Sequence, residues 1–192
     1  MRYLVHIKLL SDAIFGSGMS MPGGEDICIL TDSNGFPYMK GSTLKGIFRE
    51  ELINYLDWCG QDQDTIELKV NDILGKSGSD EIDSDRKLQI SDLTLDSDVI
   101  KAVLAEGASE QEIIDAFSYT RVFTTLENGL ARDGSLRSGR CIKKGLNFYA
   151  VCSCKDDDKD LVKEVFEQVK WIGSMRNRGF GKVSVEVEEL NE

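Results

Sequence analysis

The chain has 192 residues, 41% of them hydrophobic and 30% charged, with a net charge of −11. That length suits one domain with a real core, and no apolar run approaches the roughly 18 residues of a membrane span. A single histidine and five cysteines without Cys-x-x-Cys spacing speak against a structural zinc site and against Ser/His/Asp or Cys/His catalysis.

Residues 2–10 alternate, with Tyr3, Val5, Ile7 and Leu9 on one face, and predict a half-buried strand. It follows Met1 directly, without the apolar region of a secretion signal, so the cytosol is the expected location. Residues 11–25 are rich in Gly, Ser and Met and read as a long loop. Ile27–Leu30 reads as a minor strand, and Asp32-Ser33-Asn34-Gly35 as a turn. From about Thr43 to Trp58 the apolar spacing is helical, with Ser42 as the expected N-cap and Gly60 as the stop. Residues 61–86 are acidic and loop-like, with mobility expected over 75–86. Leu88–Leu95 alternates as a strand.

Two short helices follow, the second opened by a Ser109/Glu112 capping box. Residues 118–144 read as an extended basic arm, a candidate hairpin, with Phe123 and Leu126 as exposed apolar candidates. A strand over 146–154 carries Cys152 and Cys154, read as buried thiols. Asp156–Asp158 favours the start of a helix that buries Leu161, Val162, Val165 and Phe166. The last strand presents Val183, Val185 and Val187. Strand, helix, strand, strand, helix, strand is the ferredoxin-like (RRM-like) β-α-β-β-α-β plan, an α+β fold. One domain over 1–192 is expected, with an acidic insertion at about 60–86 and a basic thumb at about 118–145.

The charge is unevenly placed. Residues 62–98 hold eleven acids and four bases, whereas 121–144 hold six bases and two acids. Local positive surface, not the total, sets phosphate affinity. Three segments are candidates for phosphate or nucleic acid. The helix start brings Lys40, Ser42, Thr43, Lys45 and Arg49 to free backbone N–H groups, although a solvated helix face would look the same. The segment Gly173–Val183 sets Arg176, Arg178 and Lys182 among glycines such as Gly179 that admit close backbone approach; a glycine-bearing cap turn is the plainer alternative. The arm offers Arg121, Arg132, Arg137 and Arg140, suited to phosphate forks and base stacking; a disordered, solvated loop is the plainer alternative. Lys45 and Arg178 are expected to border one groove. Asp26, in a flexible loop, could hold a divalent cation or take a proton from a ribose 2′-OH. His6 is read as a sheet-surface histidine.

Together these segments resemble the RAMP superfamily of CRISPR effector proteins, and most of all the backbone subunits of type III complexes. Phe36-Pro37-Tyr38-x-x-Gly41-Ser42-Thr43-Leu44-Lys45-Gly46-x-x-Arg49 is similar to the family's helix-start motif, and Leu88-x-Ile90-Ser91-Asp92 to its following strand. Ala131-Arg132-x-Gly134-Ser135-Leu136-Arg137 and Lys144-Gly145-Leu146 resemble its thumb. Gly173-x-x-Arg176-x-Arg178-Gly179-Phe180-Gly181-Lys182-Val183 resembles its C-terminal glycine-rich loop.

The resemblance implies guide-RNA binding by the helix start and glycine loop, and a thumb that wedges into the guide–target duplex. Gly23-Gly24-Glu25-Asp26-Ile27-Cys28-Ile29-Leu30-Thr31-Asp32 resembles the loop whose aspartate cuts target RNA in catalytic backbone subunits. That implies a catalytic and metal-binding role for Asp26, with Mg2+ as the expected ion. The implied partners are guide RNA, target RNA, other RAMP subunits and further copies of this chain, with no membrane. A non-catalytic subunit of the same complex, a guide-processing endonuclease of the superfamily, and a ferredoxin-like protein unrelated to RNA remain open alternatives.

Overall fold

The computed structural model describes residues 1–18, 25–75, 87–127 and 129–190. Strand β1 (Arg2–Leu9) is central. It pairs antiparallel with β8 (Asn147–Ser153) on one side and β9 (Val183–Glu189) on the other, with Val5 opposite both Ala150 and Val187. Two short strands, β2 (Gln89–Ile90) and β3 (Thr94–Leu95), pair with the outer edge of β8. The order β2-β8-β1-β9, all antiparallel, is that of the ferredoxin-like plan. Alternation puts Tyr3, Val5, Ile7 and Leu9 in the core with Phe148, Ala150 and Cys152. Helix α1 (Gly41–Trp58) adds Leu44, Ile47, Phe48 and Leu52 to that core, and α5 (Lys159–Gln168) adds Val162, Val165 and Phe166. Phe48 and Phe166 meet with ring centroids 4.7 Å apart. Cys141 and Cys152 are buried, and burial pushes both thiols up, to about 11 for Cys141.

Several expectations are corrected by tertiary contacts. Helix α1 begins at Gly41, and Ser42 is not its cap. The Gly41 N–H donates to Asp92 Oδ1 at 2.7 Å, so a carboxylate from the sheet edge closes the helix. The strand expected over 88–95 is split for the same reason. Leu93 turns aside to exchange backbone hydrogen bonds with Met39, and the break frees Asp92. Gly41 is required here, because a Cβ would lie 2.3 Å from the Ile90 carbonyl oxygen.

Within the acidic insertion, residues Gln63–Leu74 form helix α2 rather than a loop. Asp62 caps it by accepting from the Thr65 N–H, and Ile66, Val70, Ile73 and Leu74 are buried. Lys69 reaches the buried Asp158 at 2.7 Å, and Lys155 reaches Asp72 at 2.8 Å, tying α2 to the start of α5. The rest of the expected mobile stretch, 76–86, lies outside the described residues.

The long loop expected over 11–25 is, at its beginning, core. Ala13, Ile14 and Phe15 are buried, while 19–24 lie outside the described residues. Ile27 and Ile29 make only isolated bridges, to Gly139 and Gly16, and not a strand. Helix α3 (Ser97–Ala105) and helix α4 (Glu110–Phe117) follow β3, and α4 carries the expected Ser109/Glu112 capping box.

The basic arm is a hairpin. Strand β4 (Ser118–Phe123) pairs with β7 (Arg137–Ile142), and nearer the tip β5 (Leu126–Glu127) pairs with β6 (Leu130–Ala131). Phe123 is buried, contrary to expectation, with its ring edge-on to Phe180 at 5.7 Å. The Leu126 side chain lies outside what is described. No described helix is long and apolar enough to cross a membrane.

Two stability outcomes follow. Asp92→Ala should cost about 1–2 kcal/mol in chemical denaturation; unchanged stability would show that the α1 cap is idle. Gly181 has φ +76, and a Cβ there would sit 1.8 Å from the Ile172 carbonyl oxygen, whereas Gly179, at φ +83, has open space. Gly179→Ala should therefore cost only the left-handed penalty of about 1 kcal/mol, and Gly181→Ala clearly more; equal losses would contradict the packing.

Candidate nucleic-acid interface

The glycine-rich segment is welded in place by main-chain bonds. Ser174 N–H donates to the Ile14 carbonyl, Gly181 N–H to Asp12, and Ile172 N–H to Gly181. Gly173 is spent on this packing too, since a Cβ would meet the Ile14 oxygen at 2.5 Å. Of the loop's glycines, Gly179 is the one left open to a ligand. Met175 takes a left-handed conformation, φ +59, unusual for a side-chain-bearing residue. It starts the short 3-10 turn Arg176–Arg178 that projects both arginines outward.

This loop faces the N-terminus of α1 across a cavity of about 380 Å³. Phe15, Tyr38, Met39 and Ile47 form much of its apolar lining, and Lys40, Thr43, Ser174 and Arg176 bring the polar groups. Lys40, in an extended conformation just before α1, turns its carbonyl inward to accept from the Thr43 and Leu44 N–H groups, and its side chain is exposed. An apolar floor with two cations at the rim suits a sugar–phosphate strand with a base or ribose beneath it.

The helix-start residues are divided between two faces. Lys40, Thr43 and Arg176 meet in the cavity. Lys45 and Arg49 sit half-buried on the side of α1 toward α2, where Arg49 donates to the Gly75 carbonyl at 2.8 Å. Burial, then Arg49 and Lys87, lower the Lys45 pKa. Ser42 is exposed and does not line the cavity. Arg178 borders an adjoining depression with Arg176, Glu50 and Glu51, and Arg176 approaches Glu50 at 3.4 Å. Burial first, and Glu50 second, raise the Glu51 pKa. Among the described residues, Lys40 and Arg176 border one groove, whereas Lys45 lines neither that cavity nor the depression at Arg178. Lys182 is exposed at the loop's end, its backbone held by Leu10 and Ser11.

On the arm, the Arg121 guanidinium stacks 5.2 Å over the Phe180 ring, so it also locks the arm to the glycine loop. Arg132 and Arg137 are exposed farther out, beside the highly exposed Leu130 and Leu136. Ser135 Oγ braces this outer part, donating to the Arg132 carbonyl at 2.6 Å and accepting from the Thr125 N–H.

Asp26 lies at the base of the arm and is exposed. Its Oδ2 accepts from the Ser138 N–H at 2.8 Å, and its own N–H donates to the Ser138 carbonyl at 2.9 Å. Glu25 points elsewhere. Arg140 Nε reaches both of its carboxylate oxygens, at 2.9 and 3.1 Å, and Thr120 donates to it at 2.7 Å. Burial opposes the charge on Arg140, but Asp115 and Glu25 outweigh it and raise its pKa. Sequence reading missed this pairing, because Arg140 is one more cation on a basic arm until the register places it. Among the described residues no three His, Cys, Asp or Glu side chains gather around one point. With Glu25 engaged, they form no ready-made divalent site, and Asp26 alone is offered as a ligand.

His6 lies on the sheet face away from the core. It stacks on Tyr149 with centroids 4.8 Å apart, and its Nε2 pairs with Asn147 at 3.0 Å.

The RAMP superfamily profile matches residues 6–184. No curated protein sequence matches significantly. Among solved structures, Type III-B Cmr-beta bound to cognate target RNA is similar, with TM-score 0.70 and 12% identity over 97% of both chains. Oligomeric Cmr4 from Pyrococcus furiosus is similar at TM-score 0.55 and 16% identity, covering 100% of this chain and 99% of that one. A chain of a Type IV-B CRISPR complex is similar at TM-score 0.56 and 11% identity, covering 100% and 93%. At such identities the likeness is one of fold, but the profile spans nearly the whole sequence: the chain belongs to the RAMP superfamily.

Proposed function

We propose that this chain is a guide-RNA-binding backbone subunit of a type III CRISPR ribonucleoprotein in the cytosol, and that it cuts target RNA at Asp26. The observation that carries the RNA-binding part is the cavity where Lys40 and Thr43 face Ser174 and Arg176 across an apolar floor. Guide RNA runs along that rim, with Arg178, Gly179 and Lys182 following its backbone. Arg132 and Arg137 flank the duplex phosphates while Leu130 and Leu136 wedge between bases, since exposed leucines beside arginines suit an unstacked step better than water. Lys45 and Arg49 lie on the other side of α1, toward α2, and Ser42 lies outside the cavity, so these three stand off the rim that carries the guide. Other RAMP subunits and further copies of this chain complete the assembly.

The cleavage reading rests on an exposed carboxylate fixed at the base of the arm. The ribose 2′-OH beside the scissile phosphate attacks phosphorus, and its proton passes to Asp26. The bond to the 5′-oxygen breaks, that oxygen takes a proton from water, and a cyclic phosphate remains. Arm and guide hold the target with hydroxyl and leaving oxygen in line. A divalent ion, Mg2+ in this proposal, would be held by Asp26 and would supply charge neutralisation at the phosphate.

Two measurements check this. In the assembled ribonucleoprotein, Asp26→Ala should lower target cleavage by roughly 100-fold or more while target binding stays within about two-fold. Undiminished cleavage would leave a purely structural subunit. For RNA binding, Lys40→Ala and Arg176→Ala should each weaken affinity and flatten the dependence of log K on log salt by about 0.7 for each phosphate no longer neutralised. Lys45→Ala, on the other face of α1, should change the slope less; a larger effect there would move the RNA to the α2 side.

A further inference from the structure

We propose that Arg140 is a positioning residue for cleavage at Asp26, acting through Glu25; this rests on the catalytic reading above. The loop that carries Asp26 is held on its C-terminal side by main-chain bonds to β7, from the Asp26 and Ile27 N–H groups to Ser138 and from the Arg140 N–H to Ile27. On its N-terminal side, among the described residues, the Glu25 side chain holds it, and the Cys28 thiol also donates to the Glu25 carbonyl at 3.6 Å. Arg140 Nε forks both Glu25 oxygens, at 2.9 and 3.1 Å. Thr120, the cross-strand partner of Arg140, donates to one of them at 2.7 Å. Arg140 is itself anchored to α4, its Nη1 reaching Asp115 at 2.8 Å. Both strands of the arm therefore hold the residue next to the catalytic carboxylate, in a pair whose side chains are only 17% and 20% exposed.

Two consequences bear on chemistry. The first is orientation. An exposed carboxylate with one oxygen held by a single N–H keeps its direction only if its backbone does not pivot, and a displacement near 1 Å costs on the order of 100-fold in rate. The second is charge. Glu25 and Asp26 are adjacent acids, and together they would repel a scissile phosphate. Arg140 neutralises Glu25 and leaves one negative group to work on the hydroxyl. Two acids side by side thus divide the labour, one fixed by a cation and one open to RNA.

The test uses the assembled ribonucleoprotein and a labelled complementary RNA, with single-turnover rates at saturating complex and target affinity measured separately. Glu25→Gln, which keeps shape, and Arg140→Lys, which keeps charge but not the fork, should each lower the rate about 10-fold with affinity within about two-fold. The double variant should be no slower than the slower single, because the two act as one unit. If Asp26→Ala abolishes cleavage while both variants cut at the parent rate, the positioning role is wrong and the catalytic reading stands. Additive losses in the double variant, or rate losses matched by equal losses of affinity, likewise overturn it. If Asp26→Ala cuts normally, the catalytic reading itself falls.

Discussion

Five residues that leave the central strand, Ser11 to Phe15, set where each functional element can sit. Their backbone has no helix or sheet of its own, and buried polar groups must be paired. They find partners in three separate segments. Ala13 exchanges bonds with Ile142 at the arm's base, Ile14 and Asp12 accept from Ser174 and Gly181 of the glycine loop, and Phe15 accepts from Leu30 just past the Asp26 loop. The Asp12 carboxylate adds the Tyr119 hydroxyl and the Lys144 N–H. With Ala13, Ile14 and Phe15 buried, none of these segments can shift without opening the core. Arm, glycine loop and candidate catalytic loop are thus parts of one frame.

This frame reconciles an acidic protein with the polyanionic ligand proposed for it. Several of the acids are spent on structure. Asp92 closes α1, Asp62 caps α2, Asp158 and Asp72 hold lysines between α2 and α5, and Glu25 and Asp115 hold Arg140. The cations at the cavity rim are less engaged. Lys40 is exposed, and Arg176 meets Glu50 only at 3.4 Å, a long, solvent-exposed pair of little strength. A phosphate can displace such a carboxylate at small cost, whereas the pairs that hold the frame are shorter and more buried.

The sheet and its two principal helices were legible from periodicity, because Tyr3, Val5, Ile7 and Leu9, and Leu44, Phe48 and Leu52, each follow one period through to the core. What escaped was set by contacts distant in sequence. Helix α2 was hidden by its acids, although Ile66, Val70, Ile73 and Leu74 already have helical spacing; the exposed Leu68 among them blurs the stripe. The α1 cap comes from Asp92, 51 residues on, so the nearby Ser42 looked sufficient. Lys45 and Arg49 do share a helix face, as their spacing says, but only the docking of α2 decides what that face meets. The glycines of 173–181 suggested phosphate contact; Gly173 and Gly181 instead admit neighbouring backbone, which no local pattern reveals.

The central claim is that RNA follows the rim between the start of α1 and the glycine loop. A cryo-EM map of the assembled, guide-loaded complex tests it most directly. The account predicts guide phosphates within salt-bridge reach of Lys40 and Arg176, with Glu50 released from Arg176. Guide density along Lys45 and Arg49 on the α2 side, or across the His6–Tyr149 face of the sheet, with the cavity empty, would contradict it.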